Sequence, residues 1–380
     1  MPRSVCVADL RDACRRRIPR LFFEFVDHGS YDEVTIRANR ADLLAIGLNQ
    51  RVMVDVAQRS HATTIVGQAS SMPLAVAPTG LSGFIHPNGE IEAALAAEDE
   101  GIPFCLSTMS ICSLEEVRAA TTKPFWFQLY VQRDRGFTAA LVERAKAAEC
   151  SALVVTVDLQ VQGQRHRDIR AGLAIPPRFS PATILDMAMK LPWSLGILKA
   201  RRFRLGNIQG HLKGLDDMQS YAAWLADSFD PSLSWTDLEW LRGLWPGKLI
   251  VKGILDPADA RSAVAAGADA IVVSNHGGRQ LDGARSTISA LSAIADSVGG
   301  ETEILFDSGV QTGQDVLKAL ALGAGSCMIG KAFLYGLGAG GRQGVRDAIG
   351  FIRKEMDVTM MLTGTRDVAE IGPSILAARP

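Results

Sequence analysis

The segment Ser274–Asp282 (SNHGGRQLD) gathers groups that could do acid–base work beside an anion. His276 follows an apolar run and precedes two glycines, which let backbone come close to a ligand. Arg279 lies three residues further on and offers a planar fork for a carboxylate. A histidine base with an arginine clamp is the minimum kit for taking a proton next to a carboxylate. A lone histidine would be read as a core residue; the neighbours of His276 argue for more.

Other short apolar runs end in hydrogen-bonding residues too. The ends carry Pro78-Thr79-Gly80, Ser107-Thr108, Gln128 and Tyr130, Thr156 and Asp158, Lys252, Ser274-Asn275-His276, Asp307-Ser308-Gly309 and Gly330-Lys331. Polar ends in such a series imply a ligand with many polar edges.

The elements that must position these ends are eight apolar runs: Met72–Pro78, Pro103–Ser107, Pro124–Tyr130, Ala152–Asp158, Leu249–Lys252, Ala270–Ser274, Glu303–Asp307 and Ser326–Gly330. They lack polar alternation, as strands buried on both faces do. Helical patterns separate them at Glu90–Glu100, Leu114–Ala120, Thr138–Ala148, Pro257–Ala266 and Gly313–Leu322. Eight such units make an α/β protein of the TIM (β/α)8 class, whose sites lie at the strand C-terminal ends. A doubly wound open sheet is the runner-up, disfavoured because no GxGxxG follows the first run. Residues 1–71 read as a helical lead-in, with helices over Val7–Arg17 and Ile18–Asp27 and a third capped by Ser30 and running through Asp42.

The whole chain, 1–380, is read as one domain, with the barrel in 72–158 and 249–380 and a long insertion in 159–248. An ordinary βα loop has only a few residues. The insertion holds Ile175-Pro176-Pro177, an apolar and basic stretch over 191–205, and a helical pattern over Leu215–Ala226. In that stretch Trp193, Leu195, Ile197 and Leu198 stand beside Lys199, Arg201, Arg202 and Arg204. Two readings stay open: a lid over the site, or an interfacial element touching a membrane.

Composition narrows the class. Of 380 residues, 47% are hydrophobic and 21% charged, with a net charge of −1, so neither disorder nor a generic nucleic-acid binder fits. The six cysteines form no CxxC pair, which disfavours a zinc site or a disulfide framework and fits a reducing compartment. No run is long enough to span a bilayer, and the N-terminus does not read as a secretory signal. A cytoplasmic place, with any membrane contact peripheral, is the expectation.

SNHGGRQLD resembles the signature of the FMN-dependent L-2-hydroxy acid oxidases and dehydrogenases. The likeness runs from Ile18-Pro19-Arg20 to Leu362-Thr363-Gly364 through GIPFCLST, WFQLYV, RAKAAECSALVVTVD, DSFDPSLSW, VKGILDPADA and KALALGA. RVMVDV, RDRGF and KGILDPADA bring it near the bacterial L-lactate and mandelate dehydrogenase branch. The resemblance implies FMN as cofactor, an L-2-hydroxy acid as substrate and a homo-oligomer, a tetramer. It implies His276 as base, Asp158 as the partner of its imidazolium, Arg279 as the carboxylate binder with Arg165 adding positive charge nearby, and Tyr130 as a hydrogen-bond partner of the substrate oxygen. Gln128, Thr156, Ser107, Ser274 and Lys252 would edge the isoalloxazine ring, with Lys252 balancing the charge of reduced flavin and Pro78-Thr79-Gly80 packed beside it. Asp307, Gly309, Gly330 and Lys331 would lie at the flavin phosphate. Gly80 stands where the oxidases tend to have alanine, which favours a quinone or another carrier over dioxygen.

Four positions depart from the family pattern. Phe25 stands where a tyrosine hydroxyl would meet the substrate carboxylate, which leaves room for a bulkier substrate. His28-Gly29 replaces a glycine pair. Gln311 and Lys331 stand where arginines would meet the phosphate, so weaker FMN binding is expected. A relative acting on a specialised metabolite, an oxidase using dioxygen and a non-catalytic barrel are the competing readings; the presence of His276, Arg279, Asp158, Tyr130 and Lys252 argues against the last.

Overall fold

The apolar runs all become strands of one sheet. In the computed structural model, which describes residues 4–173, 179–208 and 228–377, the barrel strands are β3 (Leu74–Val76), β4 (Cys105–Ser107), β5 (Trp126–Leu129), β6 (Ala152–Thr156), β7 (Lys248–Ile254), β8 (Ala270–Val273), β9 (Glu303–Phe306) and β10 (Ser326–Ile329). All neighbours pair in parallel, in the order β3-β10-β9-β8-β7-β6-β5-β4. A parallel bridge between Val76 and Phe104 joins β3 to β4 and closes the ring. Closure removes the doubly wound alternative.

Alternate residues of each strand fill the barrel. Ala75, Cys105, Trp126, Ala152, Val154, Ile250, Ala270, Val272, Leu305 and Met328 form this inner core with Ile65 and Val66. Those last two belong to a short antiparallel hairpin, β1 (Thr63–Ile65) with β2 (Gln68–Ser70). The expected helical lead-in is therefore only partly right. Its first part forms α1 (Val7–Arg17), α2 (Arg20–Asp27) and α3 (Val34–Ala45), and its last part supplies the hairpin. Ser30 does not cap α3: the N-cap is Glu33, in a left-handed conformation, and the Ser30 hydroxyl has no partner among the described residues.

Outside the strands, the crossover helices bury one face against the barrel. Ser113 caps the helix Leu114–Ala120 in a box with Glu116, and Asp134 caps Arg135–Ala147. Pro257 at the first turn and the Asp256 cap start the next, Pro257–Ala265. A helix over Lys331–Thr363 follows β10, with non-helical backbone at Gly340 and Gly341.

Between β6 and β7 the described residues form helices His166–Ala171, Pro181–Met189, Leu191–Ala200 and Trp235–Leu244. The sequence features at Ile175–Pro177 and Leu215–Ala226 lie outside the described residues. Within 191–205 the expected apolar face needs correcting. Trp193 turns inward, 5.3 Å from the Phe22 ring with its indole N–H donated to the Phe84 carbonyl at 2.8 Å, and Ile197 is buried. A lone helix face cannot serve core and solvent at once. The outward apolar residues are instead Ile184, Leu185, Met189, Leu191, Leu195, Leu198 and Phe203, all more than half exposed. Arg202 is held by Glu116 and Asn88. Among the described residues, no helix is long and apolar enough to cross a membrane.

Candidate active site

A cavity of about 520 Å³ opens at the C-terminal ends of the strands. Its walls include Phe25, Pro78, Thr79, Gly80, Tyr130, Arg165, Lys252, His276, Arg279, Asp307, Gly309, Gly330 and Lys331, so most of the expected site residues converge. Ser107, Gln128, Thr156, Asp158 and Ser274 are mostly buried at the same strand ends.

One chain of polar contacts crosses the barrel mouth. His276 Nδ1 pairs with Asp158 Oδ1 at 2.9 Å. The amide of His276 donates to Ser274 Oγ at 3.1 Å, and Lys252 Nζ donates to the same hydroxyl at 2.9 Å. Lys252 also pairs with Asp307 Oδ2 at 2.9 Å. Ser274 and Asp307 thus hold the base and the lysine in place. This chain depends on a register shift between Lys252 and Ile254. Gly253 sits there at φ +115, and a Cβ on it would stand 2.7 Å from Asp158 Cβ. Only glycine lets β7 bulge and Asp158 come that close.

The charges follow from burial and neighbours. Burial holds His276 below the ordinary histidine range, although Asp158 pulls the other way. The imidazole is therefore neutral near pH 7, with Nδ1 used by Asp158 and Nε2 left as the nitrogen able to take a proton. Burial would raise the Asp158 carboxyl, but His276 and Lys252 together hold it below its usual value. Burial disfavours the charge of Lys252, yet Asp307 and Asp158 outweigh it and raise the lysine. Tyr130 is pushed up to about 12, chiefly by burial, and stays a neutral phenol.

Arg279 and Arg165 make the cationic side of the cavity. Burial, then the nearby Arg165, lowers the Arg279 guanidinium to about 9. Arg165 Nε contacts the Arg279 carbonyl at 3.3 Å, and Asp168 lies 3.8 Å from Arg165. Two buried guanidiniums with one nearby carboxylate attract an anion. Arg279 stacks on Phe25, 4.6 Å from its ring centroid, and donates to the carbonyls of Phe25 and His28. The two glycines after His276 divide their work: Gly277 lines the cavity, but Gly278 packs on the lead-in, where a Cβ would stand 2.7 Å from the Ile36 amide.

Several residues reach the cavity that the sequence did not single out. Met109 and Leu81 come from loops after strands, and Leu205 and Phe229 from the segment between β6 and β7. Arg11, Asp27, Arg40 and Tyr335 line its other end. Asp27 accepts from Arg11 Nε at 2.6 Å and from the Tyr335 hydroxyl at 2.7 Å, and its carbonyl accepts from Lys331 Nζ at 2.8 Å. Lys331, expected at a phosphate, is thus turned toward the lead-in; burial and Arg279 lower it to about 7. No local motif marks these residues, since the lead-in meets the barrel only in three dimensions.

The donor set fits a flavin. Gln128 Nε2 and Thr156 Oγ1 are buried with no partner among the described residues, although Ser107 Oγ reaches the other Gln128 atom at 3.0 Å. A buried polar group left unmet costs about 1–3 kcal/mol, which a ring edge with donors and acceptors would relieve. The helix that starts at Gly330-Lys331 opens its amide end on the same cavity, as an anion would require.

Comparison with known proteins agrees with this geometry. The family described as FMN-dependent dehydrogenase matches residues 14–378. The chain is 48% identical over 372 residues to an L-lactate dehydrogenase of Caulobacter vibrioides, covering 98% of this chain and 97% of that protein. An L-lactate dehydrogenase of Acinetobacter baylyi is 48% identical over 369 residues, covering 97% and 96%. Among solved structures, a monotopic membrane protein, (S)-mandelate dehydrogenase, superposes with a TM-score of 0.94 at 36% identity, covering 99% of this chain and 100% of that one. A mandelate oxidase superposes at 0.85 with 35% identity, covering 99% of each.

Proposed function

As this chain belongs to the FMN-dependent dehydrogenase family, we propose that it oxidises an L-2-hydroxy acid to the 2-oxo acid, with His276 as base and Arg279 as carboxylate clamp. The observation that carries this reading is the His276–Asp158 pair facing Arg279 and Arg165 across one cavity. Bound FMN supplies the acceptor for the two electrons that leave the CH–OH carbon. The substrate carboxylate lies against Arg279 and Arg165, and the Tyr130 hydroxyl meets a substrate oxygen. His276 Nε2 takes the proton from the α-carbon or the hydroxyl, and Asp158 balances the imidazolium that forms. Lys252 holds a fixed positive charge at the strand ends, where negative charge develops during reduction. Gln128, Thr156 and Ser107 would hold the flavin ring, and backbone amides near Gly309 and Gly330 would donate to its phosphate.

Anaerobic mixing of the yellow protein with a panel of L-2-hydroxy acids tests this. Bleaching of the flavin by at least one L isomer, and not by its D isomer, is expected. A flavin-loaded protein that no L-2-hydroxy acid bleaches would end the reading.

We further propose that electrons leave to a quinone or a similar carrier, and that the protein touches a membrane peripherally through Pro181–Phe203. Gly80 supports the first point, because it stands where the oxidases tend to have alanine. The outward row of Leu191, Leu195, Leu198 and Phe203 near Lys199 and Arg201 supports the second, since apolar groups and cations pair at a lipid boundary. Sedimentation with anionic liposomes at two salt concentrations separates docking, which pellets the protein, from a lid that leaves it in solution.

A further inference from the structure

We propose that Arg40, on lead-in helix α3, supplies the guanidinium that binds the FMN phosphate in this chain. Among the described residues, the loops after β9 and β10 offer none at that end. Gln311 stands in the loop after β9, and the Lys331 ammonium is turned to the Asp27 carbonyl. Arg40 fills the gap in space. Its Nη1 lies 2.5 Å from Asp315 Oδ2 and 3.4 Å from the Gly309 carbonyl. Asp315 in turn accepts the amides of Gln311 at 3.0 Å and Thr312 at 2.9 Å. The guanidinium is thereby tied to the backbone of the loop that would surround the phosphate.

Arg40 lines the same cavity as Gly309, Gln311, Gly330 and Lys331. Its Nε and Nη2 have no hydrogen-bond partner among the described residues, so part of the fork is free for a ligand. A planar fork suits a phosphate better than a lysine point charge does. The cofactor then joins two parts of the chain: its ring lies on barrel strands and its phosphate on a lead-in helix. This inference rests on the FMN reading above.

Riboflavin, which lacks the phosphate, provides the control. Flavin-free protein is titrated with FMN and with riboflavin, following the quenching of flavin fluorescence. Arg40→Met is expected to weaken FMN binding by about ten- to hundredfold, the range for a hydrogen bond to a charged group, and to change riboflavin binding by less than about twofold. Gln311→Arg added to Arg40→Met is expected to restore the preference for FMN by supplying a guanidinium from the barrel. Equal loss of FMN and riboflavin, or no loss of FMN, overturns the proposal. Should the methionine variant fail to fold, Arg40→Lys takes its place: a smaller loss confined to FMN supports the proposal, and an unchanged preference overturns it. Failure of the unmodified chain to bind either flavin would defeat the cofactor reading itself, an outcome distinct from tight FMN binding that ignores position 40.

Discussion

On the His276 side of the cavity every polar side chain comes from the end of a barrel strand, whereas the Arg279 side is finished by segments outside the barrel. Asp158, Lys252, Ser274, His276 and Asp307 form one chain of contacts, each about hydrogen-bond length, set by the registers of β6 to β9. Arg279 is held instead by Phe25 and His28, at the end of α2. The first side carries none of the departures read in the sequence. The second carries the departures Phe25 and His28. Strand ends cannot move without repacking the barrel, so they suit chemistry that tolerates little error. Added segments can change one at a time, so they suit the choice of substrate.

The comparison breaks most sharply at the base. His276→Ala should still bind FMN but lose flavin reduction by about 10²–10⁴-fold, the usual worth of a general base, in anaerobic stopped-flow experiments. Near wild-type reduction would remove His276 from the reaction. Arg279→Lys should come next, raising KM and slowing reduction by roughly tenfold or more, because a point charge replaces a two-pronged clamp. Unchanged constants with every acid tried would place the carboxylate elsewhere.

The pH profile sharpens the same contrast. In the proposed reaction the neutral form of His276 is the base, and burial holds its pKa below the ordinary value. The reduction rate should therefore stay flat around neutral pH and fall only as pH drops below the ordinary histidine range. Asp158→Asn removes the group that raises this pKa, so the acid limb should move to still lower pH while the plateau drops. A limb that moves up instead would contradict the assigned pairing.

Changes on the second side should be milder. Phe25→Tyr should improve turnover of small acids by about tenfold, as a hydroxyl regains a hydrogen bond to a charged group. A loss with lactate, glycolate and mandelate alike would show that the Phe25 ring is needed as an apolar wall on Arg279. The smallest chemical effect belongs to the outward face: Leu195→Ser with Leu198→Ser should leave flavin reduction unchanged and shift stability by about 0.5 kcal/mol or less per site. The same pair should abolish pelleting with anionic liposomes; pelleting that persists would move the contact away from this helix.

Much of the catalytic side was legible because its information is local. Each strand is a continuous apolar run, and each functional group stands at its end, so the motif and its element are read together. The Ser274–Asp282 segment names base and clamp within a few residues. The hairpin of β1 and β2 was missed because three-residue strands carry too little periodicity to register. Trp193 and Ile197 were placed on the wrong face because composition counts apolar residues without saying which of them a neighbour such as Phe22 or Phe84 will cover.

By itself, the sequence determined the eight strands, their parallel use and the family to which they belong, and it put His276 and Arg279, the proposed base and clamp, in one short segment. All of these depend on residue type and short spacing. Only the tertiary structure decided what meets across long separations. It put Asp158 2.9 Å from His276, 118 residues away, and Arg40 beside Gly309. It also brought the Lys331 ammonium to the carbonyl of Asp27, 304 residues earlier. Those contacts follow from how the lead-in packs on the closed barrel, where the desolvation of each charge must be offset by whichever partner the fold brings near.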